Sequence, residues 1–210
     1  MTTASWNYSP NTKNEGSKAS AKTVYLKQFE DKRPSKNNGS AYLAWIPTFP
    51  FGWINWEKPE EKSSHLVTTT WKFNPAEDFT QALLAELRIS GLFKDAKMCE
   101  GNEKSGVVIE GTIKSTQYKA KLFYYGITPF AAYWIHLLGA PEGSFKNEIR
   151  IELICKEAKS GEILFSKEYA KYFKKTYWIY GIPKTDFVYD QILKEIYAEF
   201  FVDLKNSKVL

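Results

Sequence analysis

The chain has 210 residues, of which 29 are basic and 24 acidic, so its formal net charge is +5. This length suits one domain with a single core, and a basic excess this mild is ordinary for proteins that bind neither nucleic acid nor lipid. Aromatic residues make up 16 % of the chain, and such residues favour strands, protein interfaces and the boundary of a membrane. The composition therefore gives no reason to expect a nucleic-acid partner and some reason to look for an aromatic contact surface.

The first 21 residues differ in composition from the rest of the chain. They contain no apolar segment of the kind that a secretory signal requires, and they are rich in Ser, Asn, Thr, Lys and Gly. The sequence predicts a disordered N-terminal tether over residues 1–21 and a single α+β domain over residues 22–210. The tether resembles the segment that follows the lipidated cysteine of bacterial lipoproteins, with Met1 in place of that cysteine. A cytosolic protein with a disordered N-terminus is the alternative.

A second unusual segment spans residues 41–56, which read AYLAWIPTFPFGWINW and carry no charge. Alternation over Thr23–Phe29 predicts a first strand before it. Pro47 and Pro50 exclude a regular helix and a central strand. We therefore expect a long aromatic insertion over residues 41–73, either folded over the core as a flap or exposed as a contact for a partner. Its last part, Leu66–Phe73, is suited to an edge strand.

Two helices are predicted from capping residues and apolar spacing. The first covers Pro75–Ser90, with Asn74 as N-cap and Gly91 as the stop signal. The second covers Asp186–Leu204 with Thr185 as N-cap. Its apolar residues recur at helical spacing, so one stripe should be buried.

Alternating residues predict most of the strands. Val107–Lys114 and Gln117–Tyr125 are separated only by two residues, so they should pair as a hairpin. Glu148–Lys156 and the strand that begins at Glu162 should form a second hairpin. The predicted fold class is α+β, a mostly antiparallel sheet of five to six strands with two main helices packed on one face, plus the long aromatic insertion loop.

The stretch Leu122–Pro141 contains no charged residue in a chain that is 25 % charged. Its length would permit a membrane span. Four residues that break helices interrupt it, namely Gly126, Pro129, Gly139 and Pro141. An interrupted backbone in hydrocarbon would leave amide groups unpaired, so we expect a strand end, a turn and a short apolar helix or loop over Phe130–Leu138.

The tripeptide Tyr-Trp-Ile occurs at residues 133–135 and again at 177–179, and residues 44–47 echo it weakly. An antiparallel sheet could gather these segments at one end of the domain. The predicted contact surface comprises Trp45, Phe49, Phe51, Trp53, Trp56, Tyr133, Trp134, Tyr177 and Trp178. The nearby run Lys167–Tyr180 would suit an anionic lipid surface or a nucleic acid, and it would equally suit a strand end protected by lysines.

No catalytic or metal-binding motif is present in the sequence. His65 and His136 have no partner at metal-ligand spacing, and Glu110 and Glu152 are expected to be solvated strand charges. Cys155 alternates with apolar residues and should be a buried free thiol, although a bond to Cys99 is permitted. The sequence therefore predicts no enzyme activity, no metal and no cofactor.

Three phrases resemble bacterial envelope proteins related to the N-terminal domain of TolB and to curli-type secretion lipoproteins. They are VYLKQFEDKR at residues 24–33, NPAEDFTQALLAELRISGLFKDA at 74–96, and VVIEGTIKS at 107–115. The resemblance covers residues 22–115 and implies a non-enzymatic lipoprotein, lipid-anchored at the outer membrane and facing the periplasm or the cell surface. The aromatic insertion and the segment after Tyr124 depart from the TolB pattern, so partner binding and pore formation are not carried over.

The leading hypothesis is an assembly or binding module that uses its aromatic surface on an envelope protein partner or a membrane surface, with homo-oligomerisation as a further option. The alternative is a soluble protein that encloses an apolar small ligand under its aromatic loops. Solvent exposure of Trp45, Trp53, Trp134 and Trp178 on one face would favour the contact surface. Their lining of an internal cavity would favour the ligand pocket.

Overall fold

The computed structural model describes residues 3–11, 20–62, 70–182, 184–207 and 209–210. His65 and residues 66–69 of the predicted edge strand lie outside the described residues. The strands are β1 Thr3–Ser5, β2 Ser20–Leu26, β3 Glu30–Asp31, β4 Asn37–Gly39, β5 Phe51–Trp56, β6 Thr70–Lys72, β7 Phe93–Met98, β8 Val107–Ser115, β9 Tyr118–Phe123, β10 Gly143–Glu157 and β11 Ile163–Tyr177. The helices are α1 Pro75–Ser90, α2 Pro129–Leu137 and α3 Tyr189–Lys205, and short 3₁₀ turns cover Ala41–Trp45 and Pro59–Glu61.

β10 is the central strand of the sheet order, and its long antiparallel hairpin with β11 confirms the second predicted hairpin. The other edge of β10 pairs with two strands in succession. β9 pairs with residues 143–147 of β10, and β8 pairs with residues 150–157. Because both are antiparallel to β10, β8 and β9 run in the same direction, one after the other.

The predicted hairpin of Val107–Lys114 with Gln117–Tyr125 is therefore wrong. β8 and β9 lie end to end along the same edge of β10. Residues 115–117 form a break between them and do not reverse the direction of the chain. Glu57 holds this break, since its carboxylate accepts hydrogen bonds from Ser115 Oγ at 2.7 Å and from Gln117 Nε2 at 2.8 Å. The hydroxyl of Thr116 donates to the carbonyl oxygen of Glu57 at 3.0 Å.

Two arms extend the sheet beyond β8 and β9. On one side β8 pairs with β2, and β2 pairs with β7, all in parallel, while the short β3 also pairs with β8. On the other side β9 pairs with β5, and β5 pairs with β4, in antiparallel fashion. In the described part of the chain this gives one mixed sheet of nine strands, and β1 and β6 form a separate parallel pair.

These strands correct the predicted fold class in two respects. A mostly antiparallel sheet of five to six strands with two helices is wrong, because the β2–α1–β7 crossover makes one arm parallel and α2 adds a third helix. The aromatic insertion loop is also wrong over Phe51–Trp56, which form a sheet strand. Pro47 and Pro50 precede that strand, so the missing N–H groups remove no ladder hydrogen bond.

One face of the sheet carries the core and is covered by α1 and α3. Every second residue of β10 from Gly143 to Cys155 is buried against this layer. The two helices are joined by a hydrogen bond of 2.8 Å from the hydroxyl of Tyr197 to the carbonyl oxygen of Phe79. α1 has its predicted bounds, and Gly91 adopts a φ of 67° at its end. α3 begins at Tyr189, three residues after the predicted start.

The N-terminal segment packs against this core, which corrects the predicted disordered tether for residues 3–11. β1 pairs with β6, and the Trp6 ring lies 5.7 Å from the ring of Phe79. The hydroxyl of Tyr8 donates a hydrogen bond of 2.6 Å to the carboxylate of Glu86, which is 2 % exposed. The segment is therefore part of the domain, because aromatic burial and a buried carboxylate hold it.

Both cysteines are free thiols, as predicted for Cys155, which is fully buried. Burial raises the pKa of the Cys155 thiol to about 12. No helix in the described ranges combines the length and apolarity that crossing a membrane would need.

Candidate functional site

The apolar stretch Leu122–Pro141 forms the short helix α2, as the sequence predicts. The Thr128 hydroxyl caps the helix by accepting from the Ala131 N–H at 3.4 Å, and Pro129 occupies its first turn. Gly139, with a φ of 101°, allows the chain to leave the helix. The local sequence therefore dictates both ends of α2.

The faces of α2 are inverted relative to an ordinary surface helix. Ala132 and His136, one turn apart, are its buried residues. The outer face is apolar, with exposed fractions of 77 % for Phe130, 56 % for Trp134 and 89 % for Leu138 at the C-cap. A surface helix normally turns its apolar stripe inward. The apolar stripe of α2 therefore faces solvent instead of the sheet.

The buried ring of His136 is held among aromatic residues. Its centroid lies 5.7 Å from that of Tyr125 and 6.5 Å from that of Tyr124. His136 Nδ1 lies 3.4 Å from the carbonyl oxygen of Ala140. These contacts fix the inner face of α2 on the turn that follows β9.

The segment before β5 lies against the same turn. The backbone N–H of Thr48 donates to the carbonyl oxygen of Gly126 at 3.0 Å. The N–H groups of Tyr124 and Tyr125 both donate to the carbonyl oxygen of Pro50, at 3.0 Å and 2.9 Å. The ring of Trp45, which is 62 % exposed, lies tilted against that of Tyr124, with the centroids 5.7 Å apart.

The segment after β11 completes the site from the other side. The hydroxyl of Tyr180 donates to the carbonyl oxygen of Leu137 at 3.1 Å, and the Glu142 N–H donates to the carbonyl oxygen of Tyr177 at 2.9 Å. The prediction that the three aromatic segments meet at one end of the sheet is therefore confirmed for the described residues, which exclude Pro183. We call the exposed rings there the aromatic end; they belong to Tyr42, Trp45, Phe49, Tyr125, Phe130, Tyr133, Trp134, Trp178 and Tyr180.

The nine residues of the predicted contact surface fall into three groups. Five are exposed at the aromatic end, namely Trp45, Phe49, Tyr133, Trp134 and Trp178. Phe51 and Trp53 are half-buried on the sheet face that the helices leave open. Trp56 and Tyr177 are buried in the core and do not belong to the surface, because alternation in β5 and pairing with β10 turn them inward.

Sequence reasoning missed several exposed rings, among them Tyr42, Phe130 and Tyr180. A signal for Phe130 was available, since Phe130, Tyr133 and Trp134 follow helical spacing opposite Ala132 and His136. The positions of Tyr42 and Tyr180 depend on how the loops cross the sheet end, and no local pattern marks them.

Two tyrosines at this end have pKa values above the ordinary one. Burial raises the pKa of Tyr124 and Tyr177, and the charge of Glu142 raises both further. Both phenols therefore stay neutral at physiological pH. Elsewhere, hydrogen bonds from Lys156 and Lys27 lower the pKa of Glu110, which is opposite to what a general acid requires. Within the described ranges, no three His, Cys, Asp or Glu side chains are grouped to hold a metal ion.

Comparisons with known proteins bear on the fold. No protein-family model and no curated protein matches the sequence. Among solved structures, a Xanthomonas campestris protein described as family DUF330 superposes with a TM-score of 0.52 at 10 % identity, covering 95 % of this chain and 92 % of that one. A Helicobacter pylori protein described as a neuraminyllactose-binding hemagglutinin homolog gives a TM-score of 0.34 at 12 % identity, with coverage of 91 % and 87 %. The first likeness shows a shared fold alone, and the second is too low to support an argument.

Proposed function

We propose that this protein is a non-enzymatic binding module of the bacterial cell envelope that docks on a membrane surface through its aromatic end. The observation that carries the proposal is the outward apolar face of α2, with Trp134 56 % exposed. Exposed Trp45 and Trp178 flank that face and extend it across the end of the sheet. The envelope location rests on the sequence resemblance over residues 22–115.

The chemistry of the aromatic end fits the boundary between water and lipid. Tyr and Trp rings concentrate there because each combines an apolar body with a polar tip. At the aromatic end, Tyr180 directs its hydroxyl to a backbone carbonyl while the residue stays 74 % exposed. Phe130 and Leu138 offer purely apolar groups for the acyl region beneath.

The alternative of an enclosed apolar ligand is weaker. Trp45, Trp134 and Trp178 are 62 %, 56 % and 41 % exposed, so these three rings face solvent rather than the inside of a cavity. Trp53 is half-buried and lines an open groove of about 240 Å³ on the sheet face. Exposed tryptophans favour a contact surface over a ligand pocket.

Co-sedimentation with neutral phosphatidylcholine vesicles tests the proposal. We expect the Trp134→Ala, Trp178→Ala double variant to bind about tenfold more weakly than the wild type, because two large apolar groups leave the contact. The matched control is Ile163→Ala with Val202→Ala, which removes two exposed apolar side chains outside the aromatic end. Equal binding by wild type and the tryptophan variant, or no sedimentation of the wild type, would overturn membrane docking.

A further inference from the structure

The open face of the sheet carries lysines directly opposite one another. Lys119 on β9 is the register partner of Lys146 on β10, and Lys146 is the partner of Lys174 on β11. All three side chains point away from the helices, since Lys119 alternates with buried Tyr118 and Ala120. Neighbouring strands are about 4.8 Å apart. We call these three residues, with Lys121 beside them on β9, the lysine row.

Like charges elsewhere on this face are bridged by a charge of the opposite sign. Glu110 lies between Lys27 and Lys156, with both ammonium groups 2.6 Å from its carboxylate. Lys114 lies between Glu152 and Glu168, at 3.0 Å and 2.7 Å. In this half of the face, the charges of these side chains are therefore balanced by ion pairs within the protein.

Among the residues that the structure describes, no carboxylate joins two lysines of the lysine row. Lys146 pairs with Glu148 at 2.6 Å. Over the described stretches of the chain, no carboxylate lies within 4.0 Å of the ammonium groups of Lys119, Lys121 or Lys174. Like charges directly opposite on neighbouring strands repel each other. An anion between them would supply the counter-charge that Glu110 supplies in the other half.

A groove of about 340 Å³ lies over the row. Its polar lining comprises the four lysines together with Ser144 and Thr176, and no carboxylate of the described ranges is part of it. Ammonium and hydroxyl groups all donate hydrogen bonds, which suits the oxygens of a phosphate group. Its apolar lining comprises Ala120, Phe123 and Phe145, and Phe123 is the last residue of β9, next to the aromatic end.

We propose that the lysine row binds the phosphate headgroup of an anionic phospholipid, an inference that rests on the proposed docking of the aromatic end on a membrane. Lys174 precedes Trp178 by four residues, which corresponds to about 13 Å of strand. A helix that lies at the membrane interface buries its apolar face by about 5–10 Å. Docking through the aromatic end would therefore bring the row close to the level of the phosphates.

The first test compares vesicles of phosphatidylcholine with vesicles that contain added phosphatidylglycerol. We expect the wild type to bind the anionic vesicles more tightly than the neutral ones. In the double variant Lys119→Gln, Lys174→Gln, the ratio of these two affinities should fall about tenfold at low salt. The affinity of this variant for neutral vesicles should equal that of the wild type. The charge-matched control is Lys94→Gln with Lys159→Gln, two exposed lysines outside the row. Equal losses in the two variants would show a response to net charge only and would overturn the site.

The second test needs no membrane docking. Soluble dihexanoyl phosphatidylglycerol, dihexanoyl phosphatidylcholine, inorganic phosphate and a single-stranded oligonucleotide are titrated while amide chemical shifts of β9, β10 and β11 are followed. Shifts with the anionic lipid that vanish in the Lys119, Lys174 variant support the row, even if the wild type does not sediment with vesicles and the proposed function fails. Absence of shifts, or equal or tighter binding of inorganic phosphate or the oligonucleotide, would overturn the lipid site.

Discussion

Phe29 and Gly111 show how the three phrases at residues 24–33, 74–96 and 107–115 pack together in this chain. They belong to two of the three resembling phrases, and the Phe29 ring covers the Cα of Gly111 so closely that a Cβ there would overlap it. The N–H of Phe29 donates to the hydroxyl of Thr80, in the third phrase, at 2.9 Å. The three phrases therefore meet in one unit of β8, α1 and the loop after β2. Their residues build the fold and lie apart from the aromatic end.

Gly111→Ala is expected to destabilise the domain by about 1–3 kcal/mol, because the added methyl group forces a buried ring out of its position. Urea unfolding measures the change as a lower midpoint at constant slope. Gly181→Ala is the matched control, since its Cβ would meet nothing within 4 Å. Equal midpoints for the two variants would contradict the packing of Phe29 on Gly111.

At the scale of single residues, the contacts of Arg33 explain why the first phrase, residues 24–33, ends in a basic residue. Its guanidinium is buried and donates to Asp31 Oδ2 at 2.9 Å, to Glu60 Oε1 at 2.6 Å and to the hydroxyl of Thr116 at 2.6 Å. Partial burial raises the pKa of Asp31, but hydrogen bonds from Arg33 outweigh this effect and lower it. Arg33 thereby ties the 3₁₀ turn at residues 59–61 to the break between β8 and β9.

Among the elements, those specified by local pattern were predictable and those specified by distant pairing were not. Capping and spacing located α1, and alternation located β10 and β11. Nothing near Ser115 and Thr116 shows that both flanking strands pair with β10, which lies about thirty residues further along. One local signal did argue against a hairpin, because two-residue turns favour Gly, Asn or Asp at their centre.

Some residues of the candidate site could likewise be predicted from local sequence, and others could not. Trp45, Trp134 and Trp178 could be placed at one end of the sheet because the two Tyr-Trp-Ile segments and their weaker echo at residues 44–47 adjoin strands. Trp56 and Tyr177 could not be excluded from that surface, because their burial depends on which strands pair and on which face the pairing turns inward. The lysine row was equally hidden, since Lys119, Lys146 and Lys174 become neighbours only through the register of three strands.

The N-terminal element offers a direct test of its packing. Trp6 lies among Phe73, Phe79 and Phe187, with centroids 5.6–6.4 Å away. Trp6→Ala should lower the free energy of unfolding by roughly 1–3 kcal/mol, since the half-buried indole loses its contacts. Differential scanning calorimetry would register this as a lower Tm.

Tyr42→Ala, which removes an exposed ring of similar size, serves as the control for Trp6→Ala. If Trp6→Ala had the same Tm as the wild type, this result would contradict the packing of Trp6 and favour the predicted disordered tether.

For the whole molecule, charge and apolar surface are distributed by face. The helix-covered face holds the core, one half of the open face holds the bridged charges, and the other half holds the lysine row next to the aromatic end. The lysine row, in which Lys146 alone has a carboxylate partner among the described residues, therefore adjoins the surface that carries the exposed rings. The sheet topology is what brings these groups together, since they come from β9, β10, β11 and α2.

The bridged charges should make the stability of the whole molecule depend on acidity. Hydrogen bonds from Lys156 and Lys27 lower the pKa of Glu110, and those from Lys171 and Lys167 lower the pKa of Glu199, both from an ordinary value of 4.5. Because the folded pKa values lie below the unfolded ones, these carboxylates contribute stability above pH 4.5, and the contribution is lost as the pH falls through the folded values.

We therefore expect the Tm to be level from pH 7 to pH 5 and to fall steadily below about pH 4.5. In Glu110→Gln with Glu199→Gln the Tm at pH 7 should be slightly lower, by the small amount that exposed pairs contribute, and its decline in acid should be shallower. Thermal unfolding followed by circular dichroism from pH 7 to pH 3 measures both curves. Parallel curves for variant and wild type would mean that the two bridged carboxylates do not drive the acid response, because removing them would then leave the linkage between protonation and folding unchanged.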